Sequence, residues 1–188
     1  MMAMINKLAA TALLLVLAPA AGAAEYVIDG SGGGMHTSVN FRASHLGISS
    51  LWGRFNDVSG RFTYDAGDVS AAQLSVVIDP ASLDTNHLER DTHLRSSDYV
   101  DVAAFPEAGF VSTMIHDLGD GKMHITGNFT LHGVTREIAF EAVRTGEGET
   151  QFGDYRVGFE GQTTLDTAEY GINGGMLTLF LAIEGIRQ

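Results

Sequence analysis

Apolar and polar residues alternate with period two along most of the chain. Met35, Thr37, Val39 and Phe41 interleave with His36, Ser38, Asn40 and Arg42. The same alternation runs through Ala72, Leu74, Val76 and Ile78, and through Met123, Ile125, Gly127, Phe129 and Leu131. It returns at Ile138, Phe140 and Ala142, and at Val157, Phe159, Gly161 and Thr163. Successive side chains of a strand point to opposite faces, so each run reads as an antiparallel strand with one buried face. Turn signals separate the runs at Asp65-Ala66-Gly67-Asp68, Asp79-Pro80, Gly119-Asp120-Gly121, His132-Gly133, Gly146-Glu147-Gly148 and Asn173-Gly174-Gly175. This spacing predicts a meander of hairpins. About eight or nine strands are expected, the number that closes into a barrel able to hold one small ligand.

Two segments interrupt the meander. Residues 81–99 offer Ser82 or Asp84 as caps and Leu83, Leu88 and Leu94 as an apolar edge, which predicts one or two short helices over a barrel end. The last strand, 176–186, contains MLTLFLAI and is apolar on both faces. Such a strand is either buried on both sides or borders an apolar cavity.

Ahead of the first strand, Lys7 precedes an apolar run from Leu8 to Leu17, then Pro19 and a string of small residues. This is the pattern of a secretory signal peptide over 1–24, with cleavage before Glu25, and the run is shorter than the ~20 residues a membrane span needs. The expectation is a periplasmic protein without stable membrane insertion, its single domain spanning 25–188. That length suffices to bury roughly 70% of the surface its unfolded chain exposes. No linker or internal repeat divides it.

The chain carries 11 Lys plus Arg against 23 Asp plus Glu, a formal net charge of −12, and loss of Lys7 makes it more acidic still. Bulk electrostatics therefore argues against binding nucleic acid or an anionic membrane. There is no cysteine. A disulfide scaffold, a thiol nucleophile and a thiolate metal site all fall away.

Seven histidines, His36, His45, His87, His93, His116, His124 and His132, raise a metal reading. Their spacing gives no HExxH, and His87 and His93 are too far apart to share a helical face at i, i+4, so no metal site is expected. Strand curvature bringing His36 to His45 is the one arrangement that would revive it. No GxSxG elbow is present, so a hydrolase would need a triad assembled from distant strands, and no catalytic residue is assigned. Gly30 to Gly34 is followed by no helix pattern and reads as a crossing between strands rather than a phosphate loop. What remains is apolar material, including ten Phe and one Trp. Most Phe occupy alternating strand positions, where core residues and pocket-lining residues sit alike.

Several segments, in order along nearly the whole chain beyond residue 24, resemble the YceI-like polyisoprenoid-binding proteins. They are HTSVNFRASHLG at 36–47 with WGRF at 52–55, SLDTN at 82–86, RDTHLRSSDYVDVAAFPEAGF at 90–110, GNFTLHGVTREIAF at 127–140 and EYGI at 169–172. The resemblance implies an all-β, lipocalin-like extended antiparallel barrel of about eight strands, with an apolar channel for a polyisoprenoid or other long-chain lipid, and often a homodimer. One position departs from the family. An Arg usually stands just ahead of EYGI, whereas this chain has Asp166-Thr167 there, which suggests a neutral or different head group.

On this reading Phe41, Leu46, Trp52, Phe55, Phe62, Leu94, Phe110, Phe129, Phe140 and Phe159 line the channel. Arg42 and Arg54, each beside an aromatic strand position near the HLG turn, are candidates to meet a polar head group. For each, plain core packing or surface exposure is the alternative. No cofactor is expected beyond a bound isoprenoid lipid or quinone. An isoprenoid-quinone carrier serving a membrane redox protein, a stress-induced periplasmic protein with a filled core, and an enzyme acting on a lipid head group are the competing functions.

Overall fold

The computed structural model describes residues 22–30 and 36–188. The expected signal peptide up to residue 21, the glycines and serine of 31–34, and Met35 therefore lie outside the described residues. The chain forms β1 (Ala24–Asp29), β2 (Ser38–His45), β3 (Ser49–Phe55), β4 (Val58–Tyr64), β5 (Gln73–Ile78), β6 (Leu83–Asp84), α1 (Leu88–Arg95), β7 (Ala108–Gly119), β8 (Lys122–Leu131), β9 (Val134–Glu149), β10 (Tyr155–Asp166) and β11 (Met176–Arg187).

Eight strands close a ring in the order β1, β4, β5, β7, β8, β9, β10, β11, with β11 pairing back to β1. The fold is thus a closed eight-stranded antiparallel barrel with one short helix. Eleven strands fit eight staves because three staves are interrupted. β1 and β2 share one edge of β11, β1 opposite residues 185–187 and β2 opposite 177–182. β4 and β3 lie opposite β1 and β2, and β5 and β6 opposite β4 and β3. The ring therefore continues on one side as the extension β2-β3-β6. β7 pairs only with β5 on that flank, through Ala108–Val111, and among the described residues β6 has no ladder with β7.

The alternation in the sequence becomes the inside and outside of this barrel. In β8, Met123, Ile125, Gly127, Phe129 and Leu131 are all buried, and Phe140 and Ala142 do the same in β9. Two glycines make room for rings that lie across the strands. A Cβ at Gly127 would come 2.4 Å from the Phe110 ring and one at Gly185 2.3 Å from the Phe62 ring, so only glycine permits these approaches.

Two local expectations are corrected. Gly146-Glu147-Gly148 is not a turn but part of β9, paired with Gly158, Val157 and Arg156. The register shift beside Gly158 leaves Thr145 as an extra residue, so these glycines flank a bulge. The chain reverses later, where the Thr150 N–H donates to the Asp154 carbonyl at 2.8 Å and the Gly153 N–H to the Thr150 carbonyl at 3.1 Å. Arg156, just after this turn, donates to Asp154 at 2.6 Å and also to Glu184, which in turn meets His36 at 3.2 Å.

The second correction concerns α1. Its N-cap is His87, whose Nδ1 accepts from the Arg90 N–H at 3.3 Å. Ser82 and Asp84 instead hold turns: the Ser82 hydroxyl donates to the Asp79 carbonyl at 2.6 Å, and the Asp84 carboxylate accepts from the Asn86 N–H at 2.7 Å. The expected apolar edge is broken as well, because Leu83 is buried and Leu94 half-buried but Leu88 is 79% exposed. The buried residue of the helix is Asp91. Its carboxylate accepts from the Thr85 N–H at 2.9 Å and from the Thr85 hydroxyl, while Arg90 donates to the Thr85 hydroxyl and carbonyl, each at 2.7 Å. Arg95 donates to the Leu83 carbonyl. A polar knot fastens this helix to the barrel, with Leu94, Tyr99 and Val100 packed beneath it against the core.

Candidate functional site

The inward side chains of β4, β5, β7, β8, β9, β10 and β11 enclose a cavity of about 100 Å³ whose surface is wholly apolar. Aromatic rings make up one part of its wall, namely Phe62, Tyr64, Phe110, Phe129, Phe140 and Phe159. Branched and long aliphatic side chains make up most of the rest, among them Leu74, Val76 and Ile78 of β5, Ile115 of β7, Met123 and Ile125 of β8, Ile138 of β9, and Leu179, Leu181 and Ile183 of β11, while Thr63, Gln73, Glu160 and Thr163 border it through apolar atoms. Val39 of β2 completes the wall on the side of the extension. The rings support one another. Phe159 meets Phe62 and Tyr64 edge-on at 5.6 and 5.2 Å, Tyr26 stacks on Phe62 at 5.0 Å, and Phe110 tilts against Phe140 at 5.5 Å. Such pairs favour offset or edge-on geometry because a positive ring edge meets a negative ring face.

The electrostatics of the interior match its lining. Burial pushes the phenols of Tyr26, Tyr64 and Tyr170 above their ordinary value, so none ionises near neutrality. Tyr170 lies at the capped end of the barrel, 1% exposed and edge-on to Phe129 at 5.7 Å. Its hydroxyl has no hydrogen-bond partner among the described residues. Among the described residues, Glu160 is the one charged residue that borders the cavity. Among the described residues no cluster of three or more His, Cys, Asp or Glu is placed to hold a metal ion, and His36 and His45 point to different partners, His45 standing opposite Ser49 at a hairpin tip.

The residues singled out from the sequence fall into three groups. Phe62, Phe110, Phe129, Phe140 and Phe159 stand on the cavity wall. Phe41 and Phe55 pack on each other at 5.6 Å and are not on the cavity wall, and Leu94 packs from α1 against the core. Leu46 and Trp52 are 80% and 53% exposed and so are not on the wall, and Arg42 and Arg54 are exposed on the outer face. Strand parity carries this sorting. Arg42 adjoins Phe41, and Trp52 and Arg54 differ from Phe55 by odd steps, so all three must face the other way. Trp52 and Arg42 assemble instead with Phe180: its ring lies 5.3 Å from Trp52, and the Arg42 guanidinium sits 5.8 Å from each ring. The aliphatic part of the wall lies in the same alternation, but the aliphatic residues named from the sequence, Leu46 and Leu94, are not among its lining. The double-faced apolar strand at 176–186 resolves the same way: Leu179, Leu181 and Ile183 border the cavity, while Phe180 is covered outside by Trp52.

Asp166 and Thr167, which stand where the resemblance implies an Arg, have a structural job here. The Thr167 hydroxyl donates to the Gly175 carbonyl at 2.9 Å and accepts from the Gly174 N–H at 3.1 Å, and the Asp166 carboxylate accepts from the Ala168 N–H at 3.0 Å. Both side chains are engaged in closing the turn that carries Tyr170.

Comparison with known proteins places this geometry. Among solved structures, BcnA of Burkholderia cenocepacia superposes with a TM-score of 0.72 at 18% identity, over 79% of this chain and 95% of its own. The Campylobacter jejuni YCEI protein superposes at 0.70 with 24% identity, over 77% and 90%. A polyisoprenoid binding domain from Saccharophagus degradans, implicated in plant cell wall breakdown, superposes at 0.62 with 17% identity, over 87% and 98%. In sequence, a UPF0312 protein of Shewanella sp. (strain ANA-3) is 49% identical over 180 residues, 92% of this chain and 93% of its own. Another, from Vibrio vulnificus (strain YJ016), is 44% identical over 181 residues, 94% and 95%. The model of the YceI-like domain matches residues 26–184, from the first barrel strand almost to the end of the last. The chain belongs to the YceI-like domain family.

Proposed function

We propose that this protein is a carrier rather than an enzyme, exported to the periplasm, which takes a polyisoprenoid or similar long-chain lipid into its barrel. The observation that carries the reading is the cavity at the barrel centre, whose exposed surface is apolar and whose wall holds six aromatic side chains. The solved relative described as a polyisoprenoid binding domain shares the fold and supports the choice of ligand class.

The cavity's size shapes the mechanism. An apolar cavity of ~150 Å³ accommodates benzene, so about 100 Å³ takes roughly one isoprene unit at a time. A longer chain enters by turning wall side chains aside. Phe159, Leu74, Ile138, Leu181 and Ile183, which are half-buried rather than fully enclosed, have the freedom to do so. At ~0.8 kcal/mol per buried methylene, some forty isoprenoid carbons would sum to about 30 kcal/mol, beyond the ~20 kcal/mol ceiling of non-covalent affinity. The relevant reference is therefore not water but the bilayer, where the chain is already buried. Net preference is small and transfer reversible, which suits a carrier.

The test is mass spectrometry of lipid extracted from protein purified from its native host without detergent. A stoichiometric isoprenoid is the expected result, with a neutral head group if Thr167 rather than Arg governs selection. An ultraviolet spectrum of the same extract separates a polyprenol from a quinone. An empty extract, together with failure to take up added polyprenol, would turn the cavity into a packing defect and refute the proposal.

A further inference from the structure

The β2-β3 hairpin ends as a finger. β11 supports β2 only as far as Ala43, and β6 supports β3 only at Arg54 and Phe55, so among the described residues the hairpin between them has no neighbouring strand. At its tip the chain reverses through Leu46 and Gly47, with φ of 55° and 70°, closed by the Ile48 N–H donating to the His45 carbonyl at 3.0 Å. Two consecutive positive φ values are the demand of a tight hairpin turn, which Asn-Gly or Asp-Gly meets with little strain. A leucine there is strained, and it gains nothing from burial, since Leu46 is 80% exposed and the neighbouring Ile48 83%. A residue unfavourable for the turn and unused by the core indicates a purpose outside the fold.

The surroundings of the tip name that purpose. Four residues along β3 from Ile48, on the same outward face, Trp52 packs on Phe180 with Arg42 over both rings, and Met176 stands 56% exposed where β11 begins. Residues 36–56 hold Arg42 and Arg54 but not one of the 23 acidic residues of the chain, and residues 171–183 hold no charge at all. Carboxylates border this corner without entering the hairpin: Asp84 stands across from Arg54 and Asp166 across from Met176.

We propose that the hairpin is a membrane-docking finger, whose occupant is the surface of a phospholipid bilayer. Trp52 and Arg42 lie at the depth where aromatic rings and cations bridge apolar and headgroup layers. Leu46 and Ile48 reach about 13 Å further along the strands, into the acyl boundary that interfacial segments occupy. An isolated two-stranded ribbon is marginal in water, and a bilayer supplies the third face it lacks. A second copy of the chain pairing on the open edge of β3 would account for the edge but not for a strained leucine at the tip. Docking stands on this geometry, and its use as the step that loads lipid rests on the carrier reading above.

The full chain beyond residue 24 carries one tryptophan, which reports directly on the finger. With phosphatidylcholine vesicles the protein should co-sediment and Trp52 emission should shift to the blue. Ile48→Glu should cut partitioning on the order of a hundredfold, combining a lost aliphatic anchor with an inserted charge. Leu46→Asn should lower partitioning about tenfold while raising the melting temperature, because Asn tolerates the left-handed turn. That opposite pair of effects is one a merely structural leucine does not produce. Wild-type protein that stays in the supernatant, Ile48→Glu that partitions normally, or a Trp52 shift that follows protein concentration without vesicles would each overturn the proposal, the last in favour of a second copy. Polyprenol offered in detergent keeps the two readings apart. Ile48→Glu taking it up like wild type supports a docking role, whereas loss of uptake would place the finger in the binding site and refute docking. Wild type that binds vesicles yet takes up no polyprenol leaves docking intact and removes the carrier.

Discussion

Around the cavity the barrel is held by rings against rings and rings over glycine: Phe62 on Tyr26 and Gly185, Phe110 on Phe140 and Gly127. At the end that carries α1, the groups doing the same job are a carboxylate, two guanidinium groups and a threonine. The first kind of contact involves no ionisable group and so does not depend on pH or on screening of charge. The second depends on charge and on hydrogen-bond geometry. On the carrier reading, the wall that would meet an apolar guest is held by apolar contacts, and the polar fastening is confined to α1 and the segment around Thr85.

Substitutions can break that contrast or sharpen it. The largest expected effect is Phe110→Ala, which removes a ring packed on Phe140 and Gly127 and should cost about 4 kcal/mol in urea unfolding, equally in low and high salt. A loss near zero would show that the ring is not part of a packed wall. Asp91→Ala comes next, at about 2 to 3 kcal/mol, because it strands the Thr85 donors and leaves nearby arginines uncompensated. Hydrogen exchange should quicken in α1 and stay unchanged in β8, and uniform acceleration would mean the two ends are not independent.

The same carboxylate makes the helix end sensitive to acid. Burial alone would raise the Asp91 pKa, but hydrogen bonds from the Thr85 hydroxyl and N–H and the nearby charge of Arg95 outweigh it and hold the pKa below the ordinary 3.8. With the native value below the unfolded one, the stabilisation is complete above about pH 4 and is lost as pH falls through the native value. Stability of wild type should drop across that range more than that of Asp91→Ala, and parallel pH profiles would refute the assignment.

Smaller effects belong to the outer face. Arg156→Gln should cost about 1 kcal/mol or less, since the bridge to Asp154 and Glu184 is partly solvated, and the loss should shrink in high salt. Arg42→Gln should cost about 0.5 kcal/mol by removing the cation over Trp52 and Phe180. A larger cost would show that Arg42 does more than cover that aromatic pair.

Much of the fold was legible in period-two alternation, because burial on one face of a strand writes itself into every second residue. Met123 to Leu131 and Val157 to Thr163 are read correctly from that rule alone. Glycine-based turn signals were less dependable, since Gly146 and Gly148 flank a bulge and only the pairing partner across the sheet reveals it. The fastening of α1 was not legible, because Thr85 and Asp91 interact through a local loop shape that no periodicity encodes. Within the candidate site, five aromatic residues were placed on the wall, while Leu46 and Trp52 were drawn inward by their size although parity puts Trp52 outside. Hydrophobicity says that a residue wants to leave water, and only parity and register say whether the core is where it goes.

A closed ring of paired strands admits a long molecule only through its ends or by breaking rungs of its ladder. Between β6 and β7 there are no rungs among the described residues, and the chain that joins them runs through α1, which is tied to the β6 side by Asp91 and Arg95. Swinging α1 aside would sever the contacts of Asp91 and Arg95 and leave every strand pair in place, a motion of the microsecond to millisecond class rather than an unfolding event. If the barrel carries a lipid as proposed, the speed of exchange is set by the helix and the durability of the container by the ring, so a tougher barrel need not be a slower one.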